Sequence, residues 1–203
     1  GALNLELSER KIIFNDMGWP TQIKKTYGLT SNKIIEELMI LANVSAAEEI
    51  IKFNHPGIYR IHEPPSPEKY KNLIDIIGKP LANLLIGKVP HPLLMNKILE
   101  NTKETPDYDM INQSILRSQS QAKYHHENKS HFGLALKKYV HFTSPIRRYS
   151  DLIIHRQIIE IISNKNKRKN SLTTVKNNNE QFKIISEHIS NTERKSVAAE
   201  RKT

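Results

Sequence analysis

Leu3, Leu5 and Leu7 alternate with Asn4 and Glu6, a period of two that predicts a half-buried strand at the start of the chain. The run Lys11-Ile12-Ile13-Phe14 predicts a second, and Asn15-Asp16-Met17-Gly18 a turn after it, so residues 1–27 read as strands and turns. From Ser31 the period becomes helical. Ile34, Ile35, Leu38, Leu41 and Ala42 recur at helical spacing, Ser31 or Asn32 is placed to cap, and Asn54-His55-Pro56-Gly57 ends the helix after about residue 53.

Tyr59-Arg60-Ile61-His62 predicts a short extended stretch, stopped by Pro64-Pro65. Ser66-Pro67-Glu68 then opens a helix with proline at its first position. Pro90-His91-Pro92 begins a further helical segment carrying Leu93, Leu94 and Ile98, and Ile111 to Gln119 reads as helix again. Gln121 to Phe142 reads as extended and loop-like. A long helix is expected from Ser144-Pro145 to about Ile162, and a last one through Phe182, Ile185, His188 and Ile189 towards Thr203. Between them, residues 164–179 are rich in Lys and Asn and nearly devoid of apolar side chains, the composition of a flexible basic surface loop. The pattern predicts an α+β fold, with several long helices packed on a small mixed sheet.

Composition narrows the function classes. The 203 residues suit one domain, or a large part of one. Lys and Arg number 31 against 21 Asp and Glu, a net charge of +10 that points to a polyanionic partner, nucleic acid first. Without cysteine there are no disulfides, thiolate zinc sites or iron–sulfur clusters. No apolar run approaches the roughly 18 residues of a membrane span. The first residues lack a signal-peptide pattern, so the expected location is cytoplasmic. Gly1 opens the chain inside an alternating segment, as expected of a piece of a longer protein.

The chemistry concentrates in His141-Phe142-Thr143-Ser144-Pro145-Ile146-Arg147-Arg148-Tyr149-Ser150-Asp151-Leu152-Ile153-Ile154-His155-Arg156. Ser144 reads as an N-cap and Pro145 as the first helical residue. The unpaired N–H groups there, with the Thr143 and Ser144 hydroxyls, suit a phosphate. Arg147 and Arg148 would then fall in the first turn, where cations oppose the helix dipole. A bound phosphate supplies a reason for them; an ordinary solvated helix start, with Asp151 pairing one arginine, is the plainer alternative. Spacing also puts Arg147, Asp151 and His155 on one helix face.

This stretch resembles the most distinctive signature of the ribonuclease II/ribonuclease R (RNB) family of exoribonucleases. The resemblance continues through Ile35-Glu36-Glu37-Leu38-Met39 with Ala42-Asn43, Tyr59 to Pro65, Leu116 to Ala122, His131 to Leu136, Thr192-Glu193-Arg194 and Ala199-Glu200-Arg201. It implies a hydrolytic 3′-to-5′ exoribonuclease acting on single-stranded RNA ends and releasing nucleoside 5′-monophosphates. By the same resemblance, Arg147 holds the scissile phosphate or stabilises its developing charge. Tyr59 stacks on the 3′-terminal base, and Glu200 matches a late active-site carboxylate. Thr143, Ser144, Arg148 and Tyr149 become channel or phosphate contacts. His141, His155, Glu36 and His62 read equally well as internal hydrogen-bonding residues.

Two-metal hydrolysis needs gathered carboxylates, and the family implies Mg2+ held by an Asp-rich motif near the start of its catalytic domain. These 203 residues contain no such motif. Asp107-Tyr108-Asp109 is the nearest candidate and reads as a structural loop, and no other metal-ligand spacing stands out. The resemblance therefore places residues 1–203 in the C-terminal portion of an RNB catalytic domain. The metal ligands, the N-terminal part of that domain, and the cold-shock and S1 domains lie outside it. Two further readings stay open: a catalytically incomplete RNA-binding remnant, and a truncated product without a stable fold.

Overall fold

The computed structural model describes residues 1–5, 9–26, 28–166 and 175–200. Lys11 to Phe14 does form a strand: β1 (Glu9–Phe14) pairs antiparallel with β2 (Pro20–Thr26) around a turn in which the Asn15 side chain accepts from the Met17 and Trp19 N–H groups. Gly18 sits there at a φ of +80°, which only glycine adopts without strain. The alternating start differs from expectation. Residues 1–5 form no strand; Leu3 N–H donates to Gly133 O at 2.7 Å, and Asn96 bridges Asn4 N–H and Ala2 O. Leu7, the last residue of that pattern, lies outside the described residues.

Helix α1 (Thr30–Lys52) has the predicted length, but its start at Leu29 has no side-chain cap. Its periodic residues are also not the ones that pack. Ile34, Ile35, Leu38 and Leu41 are exposed, while Asn43, Ala46, Ala47 and Ile50 are buried. Strand β3 (Tyr59–Ile61) pairs antiparallel with β4 (Lys123–His125). The strands thus make two separate antiparallel pairs, and the only parallel element among the described residues is the bridge between His62 and His131.

The middle of the chain is a helical layer. Ser66 caps α2 (Pro67–Ile77) by accepting from Lys69 N–H, and the His91 ring caps α4 (Pro92–Thr102) by accepting from Leu93 N–H. The short α3 (Lys79–Ala82) lies between them, and α5 (Tyr108–Ser118) follows. Leu73, Leu85, Met95, Ile98, Ile111 and Ile115 interlock as its core. Asp107 and Asp109 flank the start of α5, so this Asp-x-Asp belongs to a helix end and not to a loop.

A second core joins α1 to the signature helix. Ala46, Ala47 and Ile50 meet Tyr59, Ile61, Val140, Ile154 and Ile161. That helix, α6 (Tyr149–Asn166), starts later than the Ser144-Pro145 expected from sequence. Pro145 to Arg147 form a turn instead, with Ser144 O accepting from both Arg147 and Arg148 N–H. Helix α7 (Val175–Glu200) returns across β4 and buries Phe182 against Ile58, Tyr124 and Ile153. The two helices enter the 164–179 stretch from both sides; the expected basic loop otherwise lies outside the described residues, as does Arg201.

Candidate nucleic-acid interface

The turn before α6 is built around one buried carboxylate. Asp151 is fully buried, and its Oδ1 accepts from Ser144 N–H and from Arg148 Nη2, each at 2.8 Å. The Ser150 hydroxyl donates to Oδ2 at 3.0 Å. Three donors on a desolvated carboxylate hold the loop against the helix start. Asp151 therefore clamps Arg148, not Arg147 or His155. The His155 ring instead stacks on Phe142 at 4.1 Å and pairs with Phe142 O at 2.9 Å, as a structural histidine.

Across the loop, buried Asn43 works from α1. Its Oδ1 accepts from Phe142 N–H at 2.8 Å and its amide donates to Tyr139 OH at 3.0 Å. Beneath lies a cluster of rings. His141 meets Tyr124 OH through Nδ1 at 2.9 Å, and edge contacts link Tyr124, His141, Tyr139, His131 and His62. Burial, assisted by nearby Arg148 and Arg60, pushes His141 down to about 3; burial, with His62 and Arg60 beside it, pushes His131 down to about 4. Both rings stay neutral at neutral pH. His62 is bolted on both sides: Nδ1 accepts from Gly133 N–H at 2.9 Å and Nε2 pairs with Ser120 O at 2.7 Å. A Cβ on residue 133 would stand 2.9 Å from that same Nδ1, so only glycine fits there.

The result is a groove of about 620 Å³ between α6 and α7, lined by Arg147, Arg148, Tyr149, Tyr124, Thr192 and Glu193 among others. Arg147 is exposed and has no ion-pair partner among the described residues; Tyr149 beside it is 52% exposed. Arg148 is only one-fifth exposed, and its Nε is buried without an acceptor. Thr143 Oγ1 is likewise buried and unpaired, next to Ser144. The groove thus presents one exposed cation, one clamped cation and an accessible aromatic ring, with Glu193 engaged by Arg60.

The structure brings Thr143, Ser144, Arg147, Arg148 and Tyr149 together and leaves the other two candidates apart. Tyr59 is 6% exposed inside the second core, where burial raises its phenol pKa. Glu200 is exposed at the end of α7, two helical turns beyond Glu193 on the same face and outside the groove lining. Sequence reasoning missed Arg60 and Glu193 as a pair. They meet at 2.7 Å with Arg60 stacked 4.6 Å over Tyr124, tying α7 to the β3–β4 pair. Their separation of 133 residues left no local signal.

Magnesium prefers an octahedron of free carboxylate oxygens and waters. The groove's carboxylate, Glu193, is engaged by Arg60, and Asp151 below it is saturated by three donors. These residues do not form a Mg2+ site. Ligand-capable atoms of His125, His126 and Glu127 do lie within 4.8 Å of one another, a grouping not read from the sequence, but Lys129 Nζ stands 3.8 Å from Glu127 Oε2.

The α+β scaffold is one that solved ribonuclease R structures share. The chain belongs to the RNB family: the RNB domain matches residues 1–164. Ribonuclease R of Vibrio cholerae is 41% identical over 163 residues, covering 80% of this chain and 20% of that one. Ribonuclease R of Escherichia coli is 37% identical over 204 residues, 99% of this chain and 25% of its own. The chain therefore spans about a quarter or less of the length of these relatives. The structure of Mycoplasma genitalium ribonuclease R in complex with ribose-methylated single-stranded RNA superposes with a TM-score of 0.82 at 27% identity, covering all of this chain and 31% of that one. Yeast Ssd1, a pseudonuclease, shares the fold at 22% identity and a TM-score of 0.62 over 78% of this chain. Among the described residues, no helix is long and apolar enough to cross a membrane.

Proposed function

We propose that this chain is the C-terminal portion of the catalytic domain of a 3′-to-5′ exoribonuclease, supplying its RNA groove and phosphate-positioning residues. The observation that carries this reading is the Asp151 clamp. It fixes Arg148 and the Ser144 N–H on one buried anion and leaves Arg147 and Tyr149 exposed at the groove mouth. Arg148 then serves as a fixed, preorganised charge against an RNA phosphate, and Arg147 as the adjustable one. Tyr149, exposed, is better placed to stack on a base than Tyr59, whose ring packs in the core. In this reading Tyr59 holds β3 in place, and Glu200 reaches the site only by extending the Glu193 face of α7.

The two carboxylates at the groove, Glu193 and Asp151, are already engaged by Arg60 and by the Ser144, Arg148 and Ser150 donors, so hydrolysis is assigned to the complete catalytic domain and RNA binding to this chain. Titration onto labelled single-stranded RNA across a salt series tests it. Log affinity is expected to fall linearly with log salt, by about 0.7 for each phosphate contacted. Binding that is absent or independent of salt overturns the groove assignment. The isolated chain in excess Mg2+ is expected to release no nucleoside monophosphate; release would overturn the division of labour.

A further inference from the structure

Strand β4 ends on His125, and the chain bends at His126 and Glu127. Along a strand, consecutive side chains point to opposite faces; the bend releases these three from that alternation. The His125 and His126 rings stack with centroids 4.5 Å apart and planes 22° off parallel, and His126 Nε2 stands 3.9 Å from Glu127 Oε1. One ligand-capable atom from each of the three lies within 4.8 Å of the others. His126 Nδ1 is buried and has no hydrogen-bond partner among the described residues. The bend is held from outside the cluster: the Asn128 amide donates to Lys137 O at 2.9 Å, and Ser130 O accepts from His62 N–H at 3.2 Å.

We propose that His125, His126 and Glu127 form a binding site for a zinc ion. Two imidazoles and one carboxylate are a zinc donor set, with a fourth position open to water. Imidazole also selects zinc over magnesium, which takes oxygen ligands. Two donors on one tetrahedral zinc are roughly 3.3 Å apart, so small side-chain rotations close the cluster onto the ion. His125 already has the outer partner that a ligating ring needs. Its Nδ1 stands 2.9 Å from Glu127 N and 3.2 Å from Glu127 O. With zinc on Nε2, Nδ1 carries the proton and donates to that carbonyl. Lys129 is the competitor, with Nζ 3.8 Å from Glu127 Oε2. Those two side chains are 45% and 63% exposed, and an exposed pair of this kind is weak. No cysteine in the chain draws the metal elsewhere. A bound ion ties the end of β4 to the bend that carries Ser130.

Competition for zinc between the full chain and a chromophoric chelator, with calorimetry for stoichiometry, tests the site. One zinc per chain is expected. His126→Ala and Glu127→Gln are each expected to weaken binding about tenfold or more. Lys129→Gln, which frees the carboxylate, is expected to strengthen it about threefold. Excess magnesium is expected to leave the zinc in place, and saturating zinc to raise the melting temperature of the chain but not that of Glu127→Gln. Absence of binding overturns the proposal, and so does displacement by magnesium. Binding that both His126→Ala and Glu127→Gln leave intact overturns it too, as zinc held adventitiously by other histidines. Should either substitution unfold the chain, Lys129→Gln decides: an affinity that stays the same or falls overturns the site. RNA is absent from these titrations, so their outcome and that of the groove reading are told apart.

Discussion

The Asp151 corner and the exposed half of α1 sit on either side of Asn43 and are opposites. At the corner, polar groups that would be costly to bury alone satisfy one another: Ser144 N–H, Arg148 and Ser150 share a carboxylate, and Asn43 holds the loop by its Phe142 N–H. On α1, side chains that gain from burial are left in water. The Asp151 carboxylate finds its donors within the chain, whereas the apolar helix face stays exposed. One region is held by polar groups that satisfy one another, and the other keeps apolar side chains at the surface.

The most severe way to break the contrast is at the corner. Asp151→Ala leaves the Arg148 guanidinium and the Ser144 N–H without their acceptor in a buried setting. The expected loss is about 3–5 kcal/mol, the cost of removing one partner of a buried pair. Urea denaturation followed by circular dichroism measures it. A loss below 1 kcal/mol, by the same comparison with exposed pairs, would mean the carboxylate is solvated.

The next test compares two residues of one helix. Ile50→Ala removes a fully buried side chain that packs with Tyr59 and Ile154 and is expected to cost about 2–5 kcal/mol. Leu38→Ala, 56% exposed, is expected to stay within about 0.5 kcal/mol in the isolated chain. Equal losses at the two positions would show that the N-terminal half of α1 is already packed.

That pair also shows what the sequence made legible. Periodicity located α1 to within a residue at each end, because a long apolar repeat is a local property. It named Ile34, Leu38 and Leu41 as a shared face but not whether that face is buried, since burial depends on what packs against it. The signature puts Thr143 to Tyr149 side by side simply because those residues are contiguous. It misplaced the helix start: Ser144-Pro145 has the composition of a cap, yet Asp151, three residues into α6, reaches back for the Ser144 N–H and leaves Pro145 in a turn. Asn43 with Tyr139 and Arg60 with Glu193 are contacts across 96 and 133 residues, and no local pattern reports them.

Acid acts on the ring cluster under the corner. His131 and His141 stand at about 4 and about 3 in the fold against about 6.5 in the unfolded chain. Between those limits the unfolded state binds more protons, so stability rises with pH there and is lost on acidification below about 6.5. Each ring is expected to contribute about 1.4 kcal/mol per pH unit inside its window. His141→Phe is expected to flatten the profile between pH 6 and 4, whatever it costs at pH 7 through Tyr124 OH. An unchanged slope in urea titrations at stepped pH would show that His141 is solvated.

The smallest stability effect separates the two neighbouring arginines. Arg147 has no ion-pair partner among the described residues and is exposed, so Arg147→Ala is expected to shift stability by no more than about 0.5 kcal/mol. Its effect belongs to RNA: affinity falls, and the salt slope shrinks by about 0.7 as one phosphate contact disappears. Arg148→Ala acts on both quantities, because the same side chain serves the groove and the Asp151 carboxylate. If Arg147→Ala left the slope intact while Arg148→Ala reduced it, the phosphate would sit on the clamped arginine, and the exposed one would be an ordinary solvated charge.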